Sequence, residues 1–124
     1  MNKFFDKNKD SFYVLFRVIV GLGFLLHGIS KIPGIMEGKT VILSLMFLAA
    51  VIETIGGIFL IIGLFTRTTA TISALEMLYA FIFIHIKSKG INPLANGGEA
   101  AMLYFAAFLV LASFGARKWC IDKS

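Results

Sequence analysis

Among the ionisable residues in, or at the ends of, long apolar runs, six are the candidates for any chemistry in this chain. Arg17, His27 and Lys31 follow one another along the first run, Glu53 lies in the second, Glu76 in the third, and Glu99 opens the fourth. A charge at hydrocarbon depth costs ~2.5–3.5 kcal/mol on insertion scales, so such groups face a protein interior and pair. At about 1.5 Å rise per residue, Arg17 and Glu76 lie about 8 and 12 Å into the membrane from one side, and Glu53 and His27 about 18 and 22 Å. Arg17 therefore shares a layer with Glu76, and Glu53 with His27; Lys31, His85 and Glu99 sit nearer the far edge. Glu53 is the candidate proton carrier, or hydrogen-bond partner for a quinone or other polar headgroup, because no strong cation stands at its level. Arg17 paired with Glu76 could equally be an ion pair that only fixes orientation.

Other residue types carry less. Two histidines, His27 and His85, lack any spacing diagnostic of haem or metal, and no metal site is expected. Phe81, Phe83, Phe105 and Phe108 could line a ligand slot, although packing and lipid-facing roles compete for the same side chains. Cys120 is the single cysteine, so thiol–disulfide chemistry within one chain is excluded.

The elements that position these residues follow from composition. The chain has 124 residues, 58% of them hydrophobic and 15% charged, against about 45–50% and 25% in soluble domains. A single small domain has too little interior to hide that much apolar surface. The 13 Phe and the lone Cys rule out disorder and a disulfide scaffold. The expected class is an integral membrane protein. Its formal charge of +5 is scattered rather than gathered into a stripe, which argues against nucleic acid and for contact with lipid.

About 20 apolar residues span a bilayer, and four segments qualify, at about 12–31, 41–65, 68–86 and 99–116. They are too long for strands and lack alternation of period two, and only helices satisfy their own backbone in lipid. The fold class is all-α, a single domain over 1–124 forming an up-down-up-down bundle of four transmembrane helices. The first segment follows Lys3, Lys7 and Lys9 but precedes no cleavage site, so it is expected to be retained rather than removed as a signal peptide. Breakers at Pro33, Gly34 and Gly38, and at Gly90, Pro93, Gly97 and Gly98, mark two loops, and the second and third helices form a tight hairpin. Lys3, Lys7, Lys9, Arg67, Arg117, Lys118 and Lys123 gather on one side, against Lys31, Lys39, Lys87 and Lys89 on the other. Seven against four places both termini in the cytoplasm and the chain in the cell membrane.

Helical spacing puts the charges on faces rich in small residues. Arg17, Gly21, Phe24, Gly28 and Lys31 share one face of the first helix; Ala49, Glu53, Gly56, Leu60 and Gly63 share one of the second, with Gly57 adjoining. Gly21, Gly28, Gly56, Gly57 and Gly63 are the expected helix-packing positions, since helices in lipid associate through close backbone approach. Ser73, Glu76 and Ala80, and Glu99, Ala106 and Ser113, extend the pattern to the other two.

These residues together resemble the DoxX family of small four-helix bacterial and archaeal membrane proteins. The resemblance rests on Arg17, Gly21, Gly28 and Lys31, then on Glu53-x-x-Gly56-Gly57-x-x-Leu60-x-x-Gly63-Leu64-x-Thr66-Arg67. Gly97-Gly98-Glu99, Gly115 and Asp122 continue it to the C-terminal end. It implies a membrane component of a quinone-linked redox or stress-response system, with the cofactor left open and quinone the candidate, and with a membrane redox partner as a candidate. The alternative is a non-catalytic scaffold or assembly factor; a transporter would need a solvated route that four short helices do not offer unless they oligomerise. Free helix surface leaves room for a homo-oligomer. No nucleotide motif, CxxC pair or soluble cofactor domain assigns a reaction.

Overall fold

The computed structural model describes residues 2–38 and 41–123, and among 41–44 the backbone alone. Lys39, counted above for orientation, lies outside the described residues. All regular structure there is helical. Helix α1 runs Asn2–Ser30, the short α2 Ile32–Met36, α3 Val41–Ile62 and α4 Thr66–Tyr79. A π-helical segment, Ala80–Ile86, continues α4 into α5, Lys87–Lys89; α6 is Pro93–Asn96 and α7 Glu99–Phe114. The stretches Asn2–Met36, Leu45–Ile62 and Thr66–Lys89 are long and apolar enough to cross a membrane, whereas α7 has 16 residues.

The third helix starts at Thr66 rather than 68 and runs on to Lys89, short helices occupy the two loops, and three further bounds differ from the sequence reading, each for a local reason. Helix α1 starts ten residues before position 12, because residues 2–11 contain no Gly or Pro to stop it. Phe4, Phe5 and Phe12 pack edge to face along that extension, and Asp10 ties it to Arg117 at 3.0 Å. Helix α3 ends at Ile62 rather than 65, because Gly63 adopts φ +69°, a conformation glycine reaches without a Cβ penalty. Helix α7 stops at Phe114, where Gly115 turns to φ +75°.

Packing is inverted relative to a water-soluble bundle. On α1 the exposed stripe is Leu15, Ile19, Leu22, Leu26 and Ile29, uniformly apolar, while the buried stripe holds Val14, Arg17, Val20, Gly21, Phe24 and Gly28. The one charge within the span is turned inside and the outward stripe is hydrocarbon, as lipid solvent requires. The core centres on Phe24, Leu60, Phe108 and Leu111, with the Phe24 and Phe108 rings edge to face at 4.7 Å.

Helices α1 and α3 lie antiparallel and almost backbone to backbone. A Cβ on Gly57 would fall 2.7 Å from the Gly21 carbonyl oxygen and 2.6 Å from the Leu25 nitrogen. A Cβ on Gly28 would fall 2.6 Å from the Thr54 nitrogen. Gly56, by contrast, faces Thr69 and Ser73 of α4 at ordinary contact distances. Helices α4 and α7 form the second antiparallel pair. The chain is thus an all-helical, multi-pass membrane protein.

Candidate functional site

The interior polar residues separate into two groups with different chemistry. The first surrounds Arg17, which is buried. The last four carbonyls of a helix have no partner within it, and α3 ends in the interior of the protein. Arg17 supplies two of those partners, its Nε donating to Leu60 O at 2.9 Å and its Nη2 to Ile61 O at 3.3 Å. Leu64 N donates to Phe59 O and Ile121 N to Ile62 O, so all four carbonyls are met. The remaining guanidinium donors hold the C-terminal tail, reaching Ala116 O at 2.5 Å and Lys118 O and Trp119 O at 2.8 Å each.

Two further residues complete this latch. Asp122 accepts from Phe65 N at 2.6 Å and Thr66 N at 2.8 Å, capping the start of α4. Burial pushes the Asp122 carboxyl up, but the Thr66 and Phe65 bonds and the Arg17 charge outweigh it and hold its pKa below the usual value. Phe65 itself has φ 49°, a strained conformation for a bulky residue that these two bonds help to fix. Arg67 closes the end of α7 by donating to Ser113 O at 2.8 Å and Ala112 O at 3.2 Å. Arg17 therefore meets five main-chain carbonyls and, among the described residues, no carboxylate. The layer shared with Glu76 does not become a contact.

The second group lies toward the other end of the bundle. Lys31 Nζ stands 2.7 Å from Glu53 Oε2, with the lysine side chain 28% exposed and the glutamate 3%. Lysine's four-carbon stem lets its ammonium reach about one helical turn from its own Cα, so Lys31 rather than His27 serves Glu53. Glu76 of α4 lies within the field of both Glu53 and Lys31. Ser73, one turn before it, is fully buried on the same face.

These side chains are incompletely satisfied. Among the described residues, Ser73 Oγ and Glu76 Oε1 are buried without a hydrogen-bond partner, and Glu53 Oε2 has the ion-pair approach of Lys31 but no aligned hydrogen bond. Tyr104 of α7 closes the cluster: it lies in the field of Glu53, and its ring packs on Phe24 at 5.6 Å and edge-on to His27 at 5.5 Å. Beside it, between α3 and α4, runs a groove of about 210 Å³ walled by Ile52, Ile55, Phe59 and Ile72, with Gly56 and Ser73 also lining it.

The remaining sequence candidates fall elsewhere. Glu99 is exposed in the first turn of α7, where a negative charge complements the helix dipole, and it does not join Glu53 and Glu76. His27 is exposed. His85 Nδ1 sits 3.2 Å from the Asn96 carbonyl oxygen. The four phenylalanines do not share a slot: Phe108 is in the core, Phe83 is exposed against Tyr79, and Phe81 and Phe105 are half-buried. No three His, Cys, Asp or Glu side chains gather to hold a metal among the described residues. Tyr104 and the buried Asn96, which were not singled out, carry weight through aromatic packing and loop hydrogen bonds that leave no charge in an apolar run to notice.

Comparison with known proteins adds identity to this geometry. The profile of the DoxX family matches residues 12–86. An uncharacterized protein of Haemophilus influenzae is 40% identical over 125 residues, covering 95% of this chain and 93% of that one. A Bacillus subtilis protein named "Putative oxidoreductase CatD" is 32% identical over 129 residues, covering 98% and 90%. No solved structure matches the chain.

Proposed function

The chain belongs to the DoxX family, and on that footing we propose that it is a quinone-linked redox or stress-response component of the cell membrane. In this reading it is a four-pass, up-down-up-down bundle with both termini in the cytoplasm. The observation that carries the proposal is the pair of buried, partnerless oxygens, Ser73 Oγ and Glu76 Oε1, of which Ser73 lines an apolar groove. An unmet polar group in a water-free interior costs ~1–3 kcal/mol, so a ligand offering hydrogen-bonding groups at that depth would recover it. A quinone fits the chemistry. Its carbonyls would accept from the Lys31 ammonium and the Ser73 hydroxyl, and its apolar tail would suit the groove lined by Ile52, Ile55 and Phe59.

In the reduction of a quinone to a quinol, two electrons and two protons are taken up. We assign the electrons to a membrane redox partner and the proton hand-over to Glu53 and Glu76. The name carried by the Bacillus subtilis relative is consistent with a redox role. Arg17 takes no part at this site, since its donors are committed to main-chain carbonyls.

The test is mass spectrometry of gently extracted protein, with and without added menaquinone, on the native chain and Glu53→Gln. The native chain is expected to retain quinone and Glu53→Gln to lose it, with helix content unchanged. No quinone on either protein, together with a stoichiometric partner, would favour the scaffold alternative instead.

A further inference from the structure

We propose that the end of the bundle bearing both chain termini holds a headgroup site for an acidic phospholipid, between the α3–α4 turn and the folded-back C-terminal tail. It is remote from the Glu53 cluster and does not depend on the quinone reading. A cleft of about 520 Å³ opens there, within the ~300–1,000 Å³ range of small-ligand sites. Its walls carry four cations, Arg67, Arg117, Lys118 and Lys123, and two acids, Asp10 and Asp122, an excess of two positive charges.

Neither acid leaves the cleft neutral. Asp122 is spent on the first N–H groups of α4. Asp10 is divided between Arg117 at 3.0 Å and Lys118 at 3.7 Å. Behind the wall, Arg17 polarises the same stretch of tail by drawing on the carbonyls of Ala116, Lys118 and Trp119. The cleft is therefore electropositive, with its Lys118 ammonium largely in the open.

The rim identifies the anion as a lipid. Phe65 and Phe114 line the cleft and are 62% and 54% exposed, and Trp119 beside it is 74% exposed. An exposed tryptophan at the end of membrane helices marks the headgroup level, where anionic lipid meets basic juxtamembrane residues, and the two phenylalanines offer the adjoining apolar surface. An acyl chain would lie along the apolar flank of α4 while its phosphate entered the cleft. A free anion would gain nothing from that aromatic rim.

Trp119 is the one tryptophan of the chain and reports directly on this face. The protein is reconstituted in phosphatidylcholine nanodiscs, and Trp119 fluorescence is quenched with brominated phosphatidylglycerol or brominated phosphatidylcholine at matched fractions. The acidic lipid is expected to quench with a several-fold higher relative association. The double variant Lys118→Gln/Lys123→Gln should bring that ratio close to one, each cation near an anionic surface being worth about fivefold at most. Asp10→Asn should raise it, and Lys87→Gln/Lys89→Gln at the far end should leave it as in the native chain. Equal quenching by the two lipids would overturn the proposal, as would a ratio indifferent to both the Lys118/Lys123 and Asp10 changes. Loss of the preference on adding millimolar inorganic phosphate would overturn it in favour of a free-phosphate site.

Discussion

Two adjacent glycines in the middle of α3 are expected to respond to the same substitution in opposite senses. Replacing glycine by alanine inside a helix lowers the conformational entropy of the unfolded chain and favours the helix by about 0.5–1 kcal/mol. At Gly56 nothing opposes this gain: an added Cβ would sit 3.4 Å from Thr69 Cγ2, 3.5 Å from Ser73 Oγ and 3.6 Å from Phe24 Cε2, all ordinary contacts. At Gly57 the same atom would lie 2.6 Å from Leu25 N, 2.7 Å from Gly21 O and 2.8 Å from Leu25 Cα. Those neighbours are main chain and cannot rotate away. Carbon contacts are comfortable at ~3.5–4.0 Å, so α1 and α3 would have to part by roughly 1 Å along their seam. Overpacking of this kind costs ~1–3 kcal/mol, which exceeds the helix-propensity gain. Gly56→Ala should be neutral or more stable than the native chain by up to ~1 kcal/mol. Gly57→Ala should be less stable by about 1–2 kcal/mol net. Unfolding in detergent micelles, followed by far-ultraviolet circular dichroism, separates the two. Equal stability of Gly56→Ala and Gly57→Ala would refute the close backbone seam, and with it the placement of α1 on α3.

Other perturbations test the latch and the far loop. Arg17→Lys retains the charge but replaces five planar donors with three on one nitrogen; at ~1–3 kcal/mol per stranded carbonyl, it should cost several kcal/mol in the same unfolding assay, and a change under 1 kcal/mol would rule out the latch. Because binding lowers the Asp122 pKa, its stabilisation is complete above the ordinary aspartate value of ~3.9 and is lost as pH falls through the lowered one. The stability gap between the native chain and Asp122→Asn should therefore be constant from neutral pH down to about 5 and close at more acidic pH. Asn96 is buried, donating to Gly90 O at 2.8 Å and accepting from Gly98 N at 2.7 Å. Asn96→Ala should speed hydrogen exchange across residues 90–98 by tenfold or more, since stranding these groups costs ~1–3 kcal/mol.

The helices and their inward faces were legible because lipid solvent makes both conspicuous. Apolar length announces a span, and a face carrying Gly21, Phe24 and Gly28 beside a charge can only be interior. What the sequence did not show is how main-chain groups at helix ends are satisfied. Depth arithmetic put Arg17 level with Glu76, but it counts side chains and is blind to the unpaired carbonyls at the end of α3, which took the guanidinium first. The same blindness hid the fold-back of residues 116–122, a short polar stretch with no periodicity whose structure depends on Arg17 and on the start of α4. Lys31 was placed at the outer edge by its Cα, although the length of its stem brings its ammonium to Glu53. Glu99 looked like one of the interior charges because it opens an apolar run, yet a first-turn carboxylate is already stabilised by the helix dipole and has no need to turn inward.

The contrast between the two polar groups is the strongest argument for assigning them different work. Around Arg17 the main-chain ends of α3 and α7 each find a donor and every guanidinium nitrogen finds a carbonyl, Thr66 Oγ1 being the one buried side-chain atom of the latch without a hydrogen-bond partner among the described residues. Such closure is what a purely structural element requires in a medium without water. Around Glu53 the closure fails, with Ser73 Oγ and Glu76 Oε1 stranded among groups that have little else to bond. If the second group existed only to hold helices together, alanine at Ser73 and leucine at Glu76 would do so without an unmet oxygen, and buried ionic clusters are often improved by such replacement. On the proposed reading, its unsatisfied oxygens are half of an interaction whose other half comes from the membrane. Two separable phenotypes follow from this division: loss of stability with intact ligand retention per folded molecule at Arg17, and loss of ligand with intact helix content at Glu53.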